Sequence, residues 1–198
     1  GGAYAVFGIG MLILYLTPFS FALSRIFANA SLLLAATGIC EAILARHGRR
    51  LPRLATGLII AAAVAGVAWG LAEDAGLALR IVAVSLGIGG ITGLTTMVMF
   101  RVENRGVIDN LVLAIALLVM LISFSRPIVF RFWVPEGYGS EEMLFHSVYW
   151  VGVVLSAVFA LTAVALTMIA AVGLETIEAL RLESGTDALT GVLNRRGF

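Results

Sequence analysis

Along most of this chain apolar residues do not alternate with polar ones; they run on. Six stretches, 3–17, 19–46, 52–71, 77–100, 107–125 and 140–174, are apolar on every helical face. Short groups of Arg, Glu, Asp, Gly and Pro separate them. A helix that crosses a bilayer needs about 20 mostly apolar residues, whereas a helix on a soluble core keeps a polar face. The pattern therefore predicts an all-α polytopic membrane protein with six transmembrane helices. The first stretch is short for a span, and a seventh helix upstream would move the true N-terminus across the membrane. Thr17-Pro18 reads as a cap followed by proline at a helix start, so the first helix is expected to end near Leu16 in a tight hairpin. Pro127 reads as lying beyond the fifth helix. The sixth is expected to start near Ser140, run unbroken, and continue with a polar face over 175–183 until Gly185.

Composition agrees with this class. The chain is 61% hydrophobic and 13% charged, against about 45–50% and about 25% in soluble domains. A net charge of +1 gives no basic field for nucleic acid. The single cysteine, Cys40, excludes an intrachain disulfide, and its apolar setting reads as packing. No His, Cys, Asp or Glu group has metal-ligand spacing. Ala28-Asn29-Ala30 resembles a signal-peptidase site, but no basic segment precedes it and the apolar run continues past it, so no cleaved signal peptide is expected.

All thirteen basic residues are Arg, and their distribution sets a direction. With the C-terminal tail in the cytoplasm, Arg46, Arg49, Arg50, Arg53, Arg101, Arg105, Arg181, Arg195 and Arg196 lie on the cytoplasmic side. Only Arg25, Arg80, Arg126 and Arg131 lie on the other. This bias is the one the positive-inside rule describes.

Several polar groups inside or beside the apolar runs have two readings. Gly87, Gly89, Gly90 and Gly93 suit close helix packing, Gly89 and Gly93 at four-residue spacing; the other reading is a cavity opened by missing side chains. Glu41 is the acid deepest in a helix, near enough to Arg46 to pair or to snorkel. The other reading is a buried contact holding one of two sensor states. Arg126, Arg131, Trp133, His146, Tyr149 and Trp150, with neighbouring aromatics, crowd the outer ends of the fifth and sixth helices. They form either an interfacial aromatic belt or a ligand-sensing cup. In the cup, His146, Tyr149 and Trp150 share a helical face and the two arginines hold an anion. Ala170, Gly173, Ile177, Leu180 and Ser184 follow the alternating three- and four-residue steps of a short coiled-coil seam.

The last twelve residues, 187–198, break the pattern: DALTGVLNRRGF is polar and turn-rich. Asp187, Leu189, Thr190, Gly191, Asn194, Arg195, Arg196 and Phe198 match D-x-L-T-G-x-x-N-R-R-x-F. This resembles the entry signature of GGDEF domains, the catalytic domains of diguanylate cyclases. A capped helix start after a membrane exit is the plainer alternative. The resemblance implies three parts: a transmembrane sensor or anchor over 1–172, a cytoplasmic signalling helix over 173–185, and over 186–198 the first residues of a cytoplasmic α/β GGDEF domain. Such a domain condenses two GTP into cyclic di-GMP with Mg²⁺ or Mn²⁺, as a homodimer in which each copy presents one GTP. The family's catalytic residues lie beyond the entry motif, so none can be placed on this chain, and no cofactor is expected within it. The chain begins Gly-Gly and stops inside the signature, so it is expected to be a fragment at both ends. The implied location is the bacterial inner membrane, with the lipid bilayer and an unknown sensory ligand as partners. Two further readings are a degenerate GGDEF domain that binds GTP or serves a phosphodiesterase domain, and a transporter or channel.

Overall fold

The computed structural model describes residues 1–72, 76–133 and 141–185. Among them are seven helices: α1 (Gly2–Leu16), α2 (Phe21–Ala45), α3 (Arg53–Ala72), α4 (Gly76–Phe100), α5 (Val107–Trp133), α6 (Glu141–Phe145) and α7 (Val148–Gly185). Five of these, α2, α3, α4, α5 and α7, are long and apolar enough to cross a membrane. The regular structure of the described residues is thus all helical, and by length and composition it is that of a multi-pass membrane protein. α1, with 15 residues, is about 22 Å long at about 1.5 Å per residue, less than the about 30 Å of a hydrocarbon core. The first expected span is therefore shorter than a full crossing. Strands of an α/β domain are absent from the described residues, and 186–198 lie outside them.

Local chemistry sets the boundaries. Thr17 adopts a left-handed conformation (φ 43°) and its N–H closes on Ile13 O, ending α1. The next helix starts later than the Thr17-Pro18 pattern suggests: Ser20 is the cap, its hydroxyl accepting from Leu23 N–H. At the end of α2, Gly48 takes φ 62°. Its N–H bonds to Ala45 O while Arg49 N–H reaches Leu44 O, the paired bonds of a Schellman close. At the end of α4, Arg105 folds back so that Nη1 donates to the Met99, Phe100 and Val102 carbonyls at 2.8–3.2 Å. A cation at a helix C-terminus satisfies orphan carbonyls and opposes the dipole.

Two further boundaries differ from expectation. α5 does not stop before Pro127 but carries it inside and continues to Trp133. Proline removes the donor to the carbonyl four residues back, here Ser123 O. In an apolar helix this is tolerated when hydroxyls and neighbouring helices compensate, and Ser125 Oγ donates to Ile122 O in the same turn. The last long helix, conversely, is not continuous from 140. α6 ends at Phe145 and α7 begins at Val148, because Ser147 intervenes. Its Oγ donates to Leu144 O and accepts from Trp150 N–H, closing one helix and capping the next. α7 then runs 38 residues, about 57 Å.

Sequential antiparallel pairs, α1 with α2, α3 with α4 and α4 with α5, make up the bundle. α2 packs across α3 and α4, and α7 lies on α5. Helices in lipid gain little from the hydrophobic effect between themselves, so close van der Waals contact must hold them. The tightest point is Gly87 of α4, where a Cβ would stand 2.7 Å from Leu33 of α2 and 2.9 Å from Ala63 of α3. Gly89 and Gly93 serve the α4–α5 contact, facing Phe124 and Met120; the packing reading of this glycine group is the observed one. Leu33, Leu44, Ile91, Met99 and Val112 fill the centre. The outer surface is apolar: Phe159 and Ile169 of α7 are each 69% exposed, which suits lipid and not water.

Candidate functional site

Because α1, α2, α4, α5 and α7 do not close fully on one another, a cavity of about 270 Å³ remains between them. Its walls are single faces of these helices. On α2 the lining residues step by three and four, from Arg25 and Asn29 down to Cys40 and Ile43, about 27 Å along the axis. On α7 they run from Trp150 to Val164, about 21 Å. The cavity is thus long and narrow, with hydrocarbon walls over most of its length.

One end is different in kind. Arg25, Arg80 and Arg126, from three helices, all reach it. Arg25 is buried, and its Nη1 donates to Leu14 O at 2.6 Å, which satisfies a free carbonyl at the end of α1. Its guanidinium stands 4.8 Å from the Phe21 ring centroid and 5.8 Å from that of Phe145. Cation–π contact of this kind helps hold a charge away from water. Arg80 also has a bonding contact. Arg126 is half-buried, and its Nε is buried with no hydrogen-bond partner among the described residues. No acidic side chain is among the described residues lining the cavity.

Aromatic side chains frame the same end. Trp150 Nε1–H donates to Tyr15 Oη at 3.0 Å, joining α7 to α1. Phe145 sits between them, its ring 4.9 Å from Trp150 and 5.6 Å from Tyr15. Further along, Tyr4 Oη–H donates to Leu161 O at 3.1 Å, a second tie between α1 and α7.

The expected sensing cluster is therefore divided. Arg126 and Trp150 line the cavity. Tyr149 is buried behind them, edge-on to Phe130 at 5.4 Å between centroids, and does not line it. His146 does not share a helical face with Tyr149 and Trp150; it lies in the turn before Ser147 and is exposed. Arg131 is exposed on the last turn of α5 and is not among the lining residues. Trp133 ends α5, but its side chain is outside those described. Asp187, Leu189, Thr190, Gly191, Asn194, Arg195, Arg196 and Phe198 all lie outside the described residues. Arg25 and Arg80, which the sequence placed only on the outer side, and Asn29 were not expected at this site. The available signal was that Arg25 and Arg80 each sit one turn inside an apolar helix, on the same side as Arg126.

No family model, curated protein or solved structure matches this chain. What the site can do has to be read from its own groups. Among the described residues no three His, Cys, Asp or Glu side chains converge on a point, so the cavity offers guanidinium and hydrocarbon as its binding chemistry.

At the opposite end an arginine meets carboxylates, although Arg46 Nε, like Arg126 Nε, is buried with no hydrogen-bond partner among the described residues. Arg46, just past α2, donates through Nη1 to Asp109 Oδ1 of α5 at 3.2 Å and through Nη2 to Glu175 Oε1 of α7 at 2.6 Å. His47 Nε2 stands 3.3 Å from the same Asp109 oxygen. Asp109 Oδ2 accepts from Gly106 N–H, holding the start of α5. Glu41 does not pair with Arg46; its Oε1 accepts from Leu51 N–H at 3.3 Å, bracing the loop into α3.

Proposed function

We propose that this chain is the membrane-embedded sensory and anchoring region of a diguanylate cyclase, set in a bacterial inner membrane with its C-terminus in the cytoplasm. The observation that carries this reading is the tail: eight typed positions of the GGDEF entry signature, Asp187 to Phe198, follow directly on the end of α7. The arginine bias toward the tail side supports the orientation. GTP and Mg²⁺ or Mn²⁺ would belong to the domain that the signature opens.

In this reading α7 is the transmitter. It begins beside the aromatic mouth of the cavity, passes Glu175 at the Arg46 cluster, and leads to the signature. A change in how Trp150 meets Tyr15 would tilt or turn a single helix. The residues of its seam, Ala170, Gly173, Ile177 and Leu180, are exposed, and nothing in the chain stands within 4 Å of a Cβ placed on Gly173. That face is open to a second copy, as a homodimeric cyclase needs.

Two measurements test the proposal. A reporter fused after Phe198 is expected to be active in the cytoplasm alone; activity confined to the other side would overturn the orientation and the cyclase reading with it. The chain together with the sequence encoded after Phe198 is expected to raise cyclic di-GMP when expressed. Absence of product, with a Gly-Gly-Asp/Glu-Glu-Phe run missing from that sequence, would leave a degenerate GGDEF domain.

A further inference from the structure

We propose that the cavity binds a long-chain carboxylate, a single-chain amphiphile whose head meets Arg126 and whose tail lies along α2 and α7 toward Cys40 and Ile43. The proposal deepens the sensory reading above and rests on it only for what binding would regulate.

Shape gives the tail. Small-molecule sites commonly measure about 300–1,000 Å³. A volume of about 270 Å³ drawn out over more than 20 Å, as the about 21 Å spanned on α7 implies, suits one extended hydrocarbon chain. The middle of the cavity offers a hydrocarbon chain Leu32, Ala36, Ile88 and Ala157. Thr92 also lines this stretch, but its hydroxyl is turned back onto Ile88 O at 2.8 Å and asks nothing of a ligand.

Charge gives the head. A buried cationic donor without a partner is costly unless a counter-charge meets the group; Arg46, whose Nε is also without a hydrogen bond, has Asp109 and Glu175 for this. Arg126 Nε is such a donor among the described residues. Arg25 and Arg80 approach the same end, and no described lining residue is acidic. Both of these arginines have contacts of their own, so the head group is assigned to Arg126. A guanidinium presents parallel N–H groups in a plane, which matches a carboxylate. A neutral alcohol of equal length would leave the donor without its charge partner, and a cationic amphiphile would be repelled. Trp150, Phe145 and Tyr15 then close over the head, so occupancy is registered at the start of α7.

Binding of tritiated palmitate to the purified 198-residue chain in phosphatidylcholine nanodiscs tests this, with unlabelled amphiphiles as competitors. Saturable binding is expected, displaced by palmitate and about tenfold or more weakly by hexadecanol, as loss of a charge-assisted hydrogen bond implies. Hexadecyltrimethylammonium and dipalmitoyl phosphatidic acid should not displace it. Arg126→Gln should weaken binding about tenfold, and Ala116→Trp, which fills the cavity wall, should abolish it. No saturable component, equal displacement by hexadecanol, or displacement by phosphatidic acid would each overturn the proposal. If Arg126→Gln fails to accumulate, the palmitate-to-hexadecanol ratio on the natural chain decides alone. The assay needs no GTP chemistry. Palmitate binding without cyclic di-GMP synthesis sinks only the cyclase reading, and synthesis without palmitate binding sinks only this one.

Discussion

The two ends of the helix bundle both hold arginine within an apolar envelope, and they treat it in opposite ways. At one end Arg46 meets the chain's own carboxylates, Asp109 and Glu175, and the charges are settled internally. At the other, three arginines approach one cavity with no acid among its described lining residues; Nε is buried without a hydrogen bond in both Arg46 and Arg126. The difference is one of purpose. Charges that pair within the chain fasten helices to one another. In the proposed reading, Arg126 instead meets a charge that arrives with a ligand. α7 touches both ends, with Trp150 at the cavity and Glu175 at Arg46, so the fastened end and the receptive end share one rigid element.

The largest effect should come from the layer that separates the two ends. Gly87→Val would drive a side chain into Leu33 and Ala63, where even a Cβ stands under 3 Å from both. A loss of about 3 kcal/mol is expected, the upper part of the range for overpacking, measured as thermal unfolding in detergent. Loss of cavity binding in step with stability would show that both ends depend on this layer. Next comes a matched pair. Arg46→Met leaves Asp109, whose side chain is only 14% exposed, without its guanidinium. It should cost about 2 kcal/mol, between the values for exposed and fully buried pairs. Arg126→Met keeps the stem and removes a buried donor without a hydrogen bond, so its unfolding temperature should equal or exceed that of the natural chain. If Arg126→Met is the more destabilising of the two, the contrast between the ends is wrong. Ser147→Ala removes the cap that starts α7 and should cost about 1 kcal/mol, read by the same melt. Smallest is Glu175→Gln. Glu175 is 61% exposed, so the change should stay below about 0.5 kcal/mol and vanish at high salt. A larger, salt-resistant loss would mean that α7 is clamped at its exit more firmly than an exposed pair allows.

The helices were legible in the sequence because an unbroken apolar run has few other solutions once backbone groups must be satisfied away from water. Pro127 misled because its usual meaning belongs to soluble helices; in α5 the apolar residues from Ile128 to Phe130 carry the helix on. Ser147 misled in the other direction. A single serine in an apolar stretch reads as neutral, and only its two hydrogen bonds reveal a break. At the candidate site, Arg126 and Trp150 were found because aromatics and arginine cluster locally in sequence. Arg25 and Arg80 were not, since they are 55 residues apart and meet only when α2 and α4 pack together. His146 was placed on a helical face by spacing that holds only if the helix is continuous, and it is not.

Cys40 gives this chain a built-in depth gauge. It is the sole thiol in the sequence, 5% exposed, and part of the wall toward the far end of the cavity from the arginines. An uncharged maleimide can therefore report on that one location without any engineered background. Its reaction rate measures how often the deep end opens, and occupation of the hydrocarbon channel should slow it. The natural chain is in this sense already labelled at the place where a tail would finish.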